Sequence, residues 1–489
     1  MKLIYNVDDR PEFAKLLVFA FQQLLAIMTA TLVVPIIVNG NIVENFGPDA
    51  QMMSPGAALF GAGVGTLIYV LFTMKKSPVF LGSSFAFLGS MAAAYAGATT
   101  VGLGFLGLIL GAVLAGLVYV VIALVVKSVG VGWINKLMPA IVIGPTVAII
   151  GFSLAGNAVS DLQNPGVSAD YRVAIHCGLI TLFVIMICSV YGKKSGRLIP
   201  FIYGILAGYA VCVILTLIGR ATDVDELIIM DFGSIKDSLL DNGSIGLKTF
   251  VSVPDFTFLQ IGDGFSEFSA SYFGTVAVAY IPVAFVVFAE HIADHKNISS
   301  IIEKDLLEDP GLHRTLLGDG VGSMAGAFFG GCPNTTYGES IGCVAITKNA
   351  SVYTIITAAV AAMVISFLTP FIVFVNSIPS CVMGGVCMAL YGFIAVSGLK
   401  MIQGTDLNKN KNLFVVSAIL ISGIGGLSIN FGKISITTVA VALILGIIAN
   451  LLLKDAPDED GDKKKKEVKP DNSKKEVNSK ANNNGKKNK

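Results

Sequence analysis

The sequence predicts an all-α polytopic membrane protein: fourteen transmembrane spans in two inverted seven-span repeats, with short extended segments in spans three and ten. Three observations lead there. Hydrophobic residues make up 54% of the 489 and charged residues only 14%, too little charge to cover a soluble surface of this size. Apolar windows long enough to cross ~30 Å of hydrocarbon recur about fourteen times. Lysine and arginine collect in every second connection, as the positive-inside rule requires.

The first seven windows are 15–38, 56–74, 79–98, 101–126, 137–156, 171–191 and 199–219. A polar interval, 220–268, follows. The second seven are 270–293, 314–331, 334–348, 351–376, 381–399, 412–430 and 434–453. With the N-terminal segment 1–14 placed in the cytoplasm beside Lys2, Arg10 and Lys15, the basic connections fall after spans two, four, six, eight, ten and twelve. They carry Lys75 and Lys76; Lys127 and Lys136; Lys193, Lys194 and Arg197; Lys296, Lys304 and Arg314; Lys348; and Lys409 and Lys411. The intervening connections are poor in base, and 220–268, expected outside the cell, is rich in acid (Asp223, Asp225, Glu226, Asp231). Both termini are therefore expected in the cytoplasm, with the chain multi-pass in the plasma membrane. Asp8 and Asp9 stand where a cleaved signal peptide needs a basic region, so the first span is expected to stay. From Lys454 on, the chain is Lys/Asn-rich with almost no apolar residues, which predicts a disordered tail over 454–489.

Seven spans per half means that the second half inserts upside down relative to the first. Inverted repeats of this kind carry paired, broken segments at the substrate site. Such a pair is present: Ser77-Pro78-Val79-Phe80-Leu81-Gly82-Ser83-Ser84-Phe85 opens span three, and Pro333-Asn334-Thr335-Thr336-Tyr337-Gly338-Glu339-Ser340 opens span ten. Each reads as an extended stretch after proline, then glycine, then a helix beginning on small or polar residues. Each half-helix start offers a partial positive charge.

Two carboxylates mark the chemistry. Glu290 ends the apolar run from Tyr280 to Ala289, and Glu339 lies in the broken segment of span ten. Ionisable groups at bilayer depth are costly and usually face a cavity on a substrate or ion path. In Glu290-His291-Ile292-Ala293-Asp294-His295, Glu290 and Asp294 share one helix face, as do His291 and His295. A metal site is not expected, because Glu290 lies outside the histidine pair and no third ligand is evident. No cofactor is expected either, and no nucleophile or metal set suggests an enzyme. Gly61-Ala62-Gly63-Val64-Gly65 and Gly322-Ser323-Met324-Ala325-Gly326 sit in apolar spans and read as helix-packing surfaces rather than phosphate loops. The seven cysteines read as small packing residues. Gln22 and Gln23 of span one are candidates to line the site, and Asp319 either pairs in the interior or caps a helix, capping being the commoner role for Asp. The net charge of +1 points to no nucleic acid partner.

Asn334 to Lys348, with its Tyr337-Gly338-Glu339 centre, resembles the signature of the nucleobase–ascorbate transporter (nucleobase:cation symporter) family, in its uracil permease branch. Ala289 to His295 resembles the family's second acidic motif, and Leu81 to Phe87 its span-three strand. The resemblance runs over nearly all of residues 10–453.

It implies a core domain of spans one to four (15–126) and eight to eleven (270–376), and a gate domain of spans five to seven (137–219) and twelve to fourteen (381–453). It implies proton-coupled uracil uptake and a homodimer. By motif position, Glu290 and Glu339 would bind the base, Phe85 would pack on its ring, and Gly338 would offer backbone. Tyr337 and Ser84 would support the site, and Ala30 would line it. Glu290, with Asp294 and His295, would couple protons. Ser340 departs from the Asn common in this motif, and Asp294 from the His of some relatives.

The residues suit such a ligand. Uracil presents two N–H donors and two carbonyl acceptors. An ionised carboxylate only accepts, while a protonated one also donates. Two carboxyls with one proton between them therefore match both N–H groups and one carbonyl. A xanthine or other nucleobase symporter of the same fold is the alternative. A sulfate-permease-type anion exchanger shares the architecture, but two carboxylates would repel its substrate.

Overall fold

The computed structural model describes residues 3–130, 132–193, 196–197, 199–240, 244–431 and 434–453. The expected disordered tail, 454–489, lies outside the described residues, as do Lys2 and Lys194. The chain is mostly helical. In the first half the elements are α1 (Phe13–Phe46), α2 (Pro55–Phe72), β1 (Leu81–Ser83), α3 (Leu88–Ala96, after a 3-10 turn at Phe85–Phe87), α4 (Val101–Val129) and α5 (Gly132–Leu137). Then come α6 (Ala140–Ser153), α7 (Ala155–Gln163), α8 (Tyr171–Tyr191), α9 (Pro200–Thr222) and α10 (Phe232–Leu239). The second half holds α11 (Ala270–Ile302), α12 (Leu312–Gly330), β2 (Asn334–Thr336), α13 (Gly338–Thr347), α14 (Val352–Ile365) and α15 (Thr369–Asn376). It closes with α16 (Ser380–Met401), α17 (Asn410–Ile424), the hairpin strands β3 (Ile429–Phe431) and β4 (Ile434–Ile436), and α18 (Thr438–Leu452).

Among the described residues, eight helices are long and apolar enough to cross a membrane, and four shorter ones are apolar. Helix lengths depart from the apolar windows where polar turns extend a helix beyond hydrocarbon. Thus α1 runs on to Phe46 through Pro35, and α11 runs on to Ile302. Span five bends at Leu154 into α7, and the 351–376 window divides into α14 and α15.

The helices pack in two sets. In one, α2 lies along α12 and α14, α4 along α11 and α12, and α1 on α14 and α2. In the other, α16 packs on α6, α7 and α8, α9 on α8, and α17 on α18 and α6. Glycines let backbones meet inside each set. A Cβ on Gly65 would lie 2.7 Å from the Gly322 carbonyl, and one on Gly144 would lie 2.7 Å from the Gly398 carbonyl. All seven cysteines are free thiols, and all but the half-buried Cys188 are buried.

Candidate functional site

β1 and β2 pair antiparallel, with Leu81 opposite Thr336, Gly82 opposite Thr335 and Ser83 opposite Asn334. Ser84 N–H to the Pro333 carbonyl (2.9 Å) and Tyr337 N–H to the Phe80 carbonyl (3.2 Å) extend the ladder at both ends. A two-stranded ribbon among spans leaves outer backbone groups that water cannot reach. Side chains satisfy them. Leu81 N–H donates to Thr66 Oγ1 (2.9 Å), Asn334 N–H to Ser323 Oγ (3.0 Å), and Phe80 N–H to Ser340 Oγ (3.0 Å). Gln23 Nε2 also reaches Ser340 Oγ. Ser340 thus has a definite task where Asn is common. Gly82 is required here, because a Cβ would strike the Tyr337 ring and lie 2.8 Å from Thr31 Oγ1.

The ribbon brings together the starts of two helical segments, Phe85–Phe87 leading into α3, and α13 with Glu339 in its first turn. The positive end of α13 favours negative charge at that point. Tyr337 locks the junction by donating its hydroxyl to the Ser83 carbonyl (2.6 Å).

Across from the ribbon runs α11, whose start is capped by Ser269 accepting from Tyr272 N–H (3.2 Å). Its periodicity sorts the acidic motif. Glu290, Ala293 and Asp294 line a cavity of about 440 Å³ together with Ser84, Phe85, Tyr337, Gly338 and Glu339. Thr336 Oγ1 donates to Asp294 Oδ2 (2.8 Å), joining α11 to the ribbon. A Cβ on Gly338 would meet nothing within 4 Å, as expected of a residue at an open wall. The other helix set supplies a mainly apolar wall: Val147 and Ile150 of α6, Leu390 and Ile394 of α16, with Ser397 of α16 the polar exception. Ser189 and Arg197 also line the cavity.

His291 and His295 point away, into α12 and α2. His291 Nδ1 is 2.7 Å from Asp319 Oδ2, and its Nε2 is 3.0 Å from Thr315 Oγ1. His295 Nδ1 is 2.8 Å from the His291 carbonyl, which only accepts, so Nδ1 carries the proton. In the neutral ring, Nε2 then accepts the Tyr69 hydroxyl (2.6 Å), whose oxygen accepts from Ser77 (2.7 Å). Of the two roles open to Asp319, the structure has the interior pairing: it is the buried partner of His291.

The structure therefore brings Glu290, Asp294, Glu339, Gly338, Tyr337, Phe85 and Ser84 to one cavity. Ala30 and His295 are not on its wall. Ala30 is buried behind it, and Ala26 and Thr29 of the same helix face the cavity instead. Gln23 is occupied by Ser340. Thr335 and Thr336 were not singled out from sequence, although a polar threonine pair in an apolar chain is a signal. Thr335 Oγ1 and Ser84 Oγ are buried at the wall and have no hydrogen-bond partner among the described residues.

The model of the Permease family Xan_ur_permease matches residues 14–431. The chain belongs to that family. The permease is a transporter, not an enzyme, and its multiple apolar helices make it a multi-pass membrane protein. It is 34% identical to the uracil permease of Bacillus caldolyticus over 460 residues, covering 93% of this chain and 96% of that one. It is 35% identical to the uracil permease of Bacillus subtilis (strain 168), over 94% and 98% of the two chains. To the uracil permease of Escherichia coli (strain K12) it is 32% identical, over 92% and 94%. Among solved structures, the transmembrane domain of the cyanobacterial bicarbonate transporter BicA superposes with a TM-score of 0.57 at 14% identity, over 91% of the permease and 100% of that chain. The murine anion transporter Slc26a9 gives 0.55 at 10% identity, over 91% and 69%. At such identities the likeness is one of fold alone.

Proposed function

We propose that the permease takes up uracil across the plasma membrane together with protons, and that Glu290 and Glu339 bind the base in the cavity. Two carboxyls facing one cavity, with apolar surface opposite, carry this reading. The relatives named uracil permease support the substrate. Glu339, at the positive helix end, is the acceptor for ring N–H. Glu290, in its protonated form, donates to a carbonyl, and Phe85 packs on the ring face. An unmatched buried polar group costs about 1–3 kcal/mol, so a ligand lacking these groups is rejected. Tyr337, Gly338 and Ser84 shape the site; Ala30, buried in α1, packs next to the cavity-facing Ala26 and Thr29.

Coupling is assigned to Glu290 with Asp294, while His295 holds the opposite face of α11. Fourteen spans follow if α12 and α13 are counted with the eight long and four shorter apolar helices. The core domain is then α1–α4 with α11–α14, and the gate α6–α9 with α16–α18. Movement of one against the other exposes the cavity to each side in turn. The family resemblance extends the reading to inverted repeats, cytoplasmic termini and a homodimer.

Uptake of radiolabelled uracil into proteoliposomes with and without an inward proton gradient tests the coupling. The gradient is expected to drive accumulation by the native protein and to leave Glu290→Gln unaffected. Gradient-driven accumulation by Glu290→Gln removes Glu290 from the coupling role.

A further inference from the structure

The connection between α10 and α11 carries large apolar side chains that are exposed among the described residues. Leu247 is 81% exposed, Phe250 57% and Val253 68%, with Val251 also exposed. On a water-facing loop this composition is unfavourable. Two features of the structure say what covers it.

The first is position. Val251 bridges antiparallel to Leu368, just beyond α14. Ser252 N–H donates to the Phe367 carbonyl (3.0 Å), Thr369 N–H to the Phe250 carbonyl (3.1 Å), and Thr369 Oγ1 to the Lys248 carbonyl (2.6 Å). Val360 and Val364 are exposed one turn apart on α14, and Leu368 just beyond the helix is exposed as well. On an apolar helix of a multi-pass membrane protein, such a stripe faces lipid. Through the Val251–Leu368 bridge the loop's apolar side chains adjoin it.

The second is the backbone. Gly246 N–H donates to Thr249 Oγ1 (3.1 Å), Thr249 N–H to the Gly246 carbonyl (3.2 Å), and Phe250 and Val251 N–H both to the Leu247 carbonyl (3.0 Å each). With the bonds to Phe367 and Thr369, most polar groups of 246–252 are satisfied inside the protein. A segment that stays in water has no need of this, whereas one that meets hydrocarbon does. Just beyond, Phe256 packs on Phe60 (5.0 Å between centroids) and Phe258 stacks on Phe328 (4.7 Å), tying the loop down at its other end.

We propose that residues 246–253 lie in the membrane interface, with Leu247, Phe250, Val251 and Val253 against lipid acyl chains. Lys248 beside them is exposed, and its long stem allows its charge to reach the headgroup level.

Trp133 is the single tryptophan of the chain, so fluorescence reports the segment directly. In a Trp133→Phe background, Phe250→Trp and, separately, Val253→Trp are reconstituted into vesicles with and without acyl-brominated lipid. Iodide is then added on both sides. Val364→Trp serves as the lipid-facing reference. Brominated lipid is expected to quench each loop tryptophan at least half as strongly as the reference, with iodide having little effect. Quenching by iodide and not by brominated lipid would place the segment in water. Emission indifferent to both quenchers would mean that protein, such as a second copy of the chain, covers the face. Either result overturns the proposal.

Discussion

At the scale of the residue, the site is made by where α11 points each side chain. Glu290 and Asp294 face the cavity, while His291 and His295 face Asp319, Thr315 and Tyr69 on the other side. Four ionisable groups within six residues thus divide between cavity and scaffold by helix phase alone. Ser340 is a scaffold group of the same kind. Its hydroxyl accepts from Phe80 N–H and is held by Gln23. Ser340→Ala leaves that buried N–H without a partner, at a cost of about 1–3 kcal/mol. A lower thermal melting point in detergent is the expected outcome; an unchanged one would mean that another acceptor replaces it. The carboxyls at the cavity were legible in the sequence because charge stands out in apolar runs. Ala26 and Thr29, rather than Ala30, line the cavity, and the sequence does not reveal this because α1 is apolar nearly all round and such a helix does not show its rotation. Val147, Ile150, Leu390 and Ile394 were invisible for a related reason: an apolar cavity wall and an apolar core have the same composition.

At the scale of the element, the ribbon depends on the close approach of α2 and α12. A Cβ on Gly65 would lie 2.6 Å from Asn334 Nδ2 as well as 2.7 Å from the Gly322 carbonyl. Asn334 belongs to β2 and donates to the Gly61 carbonyl (3.2 Å), so the helix pair and the ribbon share one contact. Gly65→Val is therefore expected to push the helices apart and disturb β2, costing about 1–3 kcal/mol. Both melting temperature and uptake should fall. Gly40→Ala, whose Cβ would meet nothing within 4 Å, should leave both near native values; equal damage from the two changes would contradict this account of the packing. The extended segments were legible from proline and glycine placed alike in the two halves. Their pairing was not, since each strand has only three residues. Helix ends were also hidden, because an apolar window measures hydrocarbon thickness rather than helix length.

At the scale of the molecule, the cavity lies between two sets of helices that pack mainly within themselves. One wall is polar and built on the ribbon and α11. The other is mainly apolar and built on α6 and α16. A mainly apolar wall makes few directional bonds to the polar one, which suits the proposed rocking of gate against core. The resemblance of this arrangement to bicarbonate and anion transporters is one of fold; the acidic side chains at the cavity are what argue for a neutral, donor-rich ligand. The proposed transport of uracil through this cavity rests on its two carboxyls. Initial rates of radiolabelled uracil uptake in proteoliposomes, native against Glu339→Gln, test it most directly. The amide keeps the shape but loses an acceptor. A charged hydrogen bond is worth about 1.5–3 kcal/mol, so uptake efficiency should fall roughly ten- to a hundredfold. Equal uptake by the two proteins, or native protein that carries xanthine and not uracil, would contradict the account.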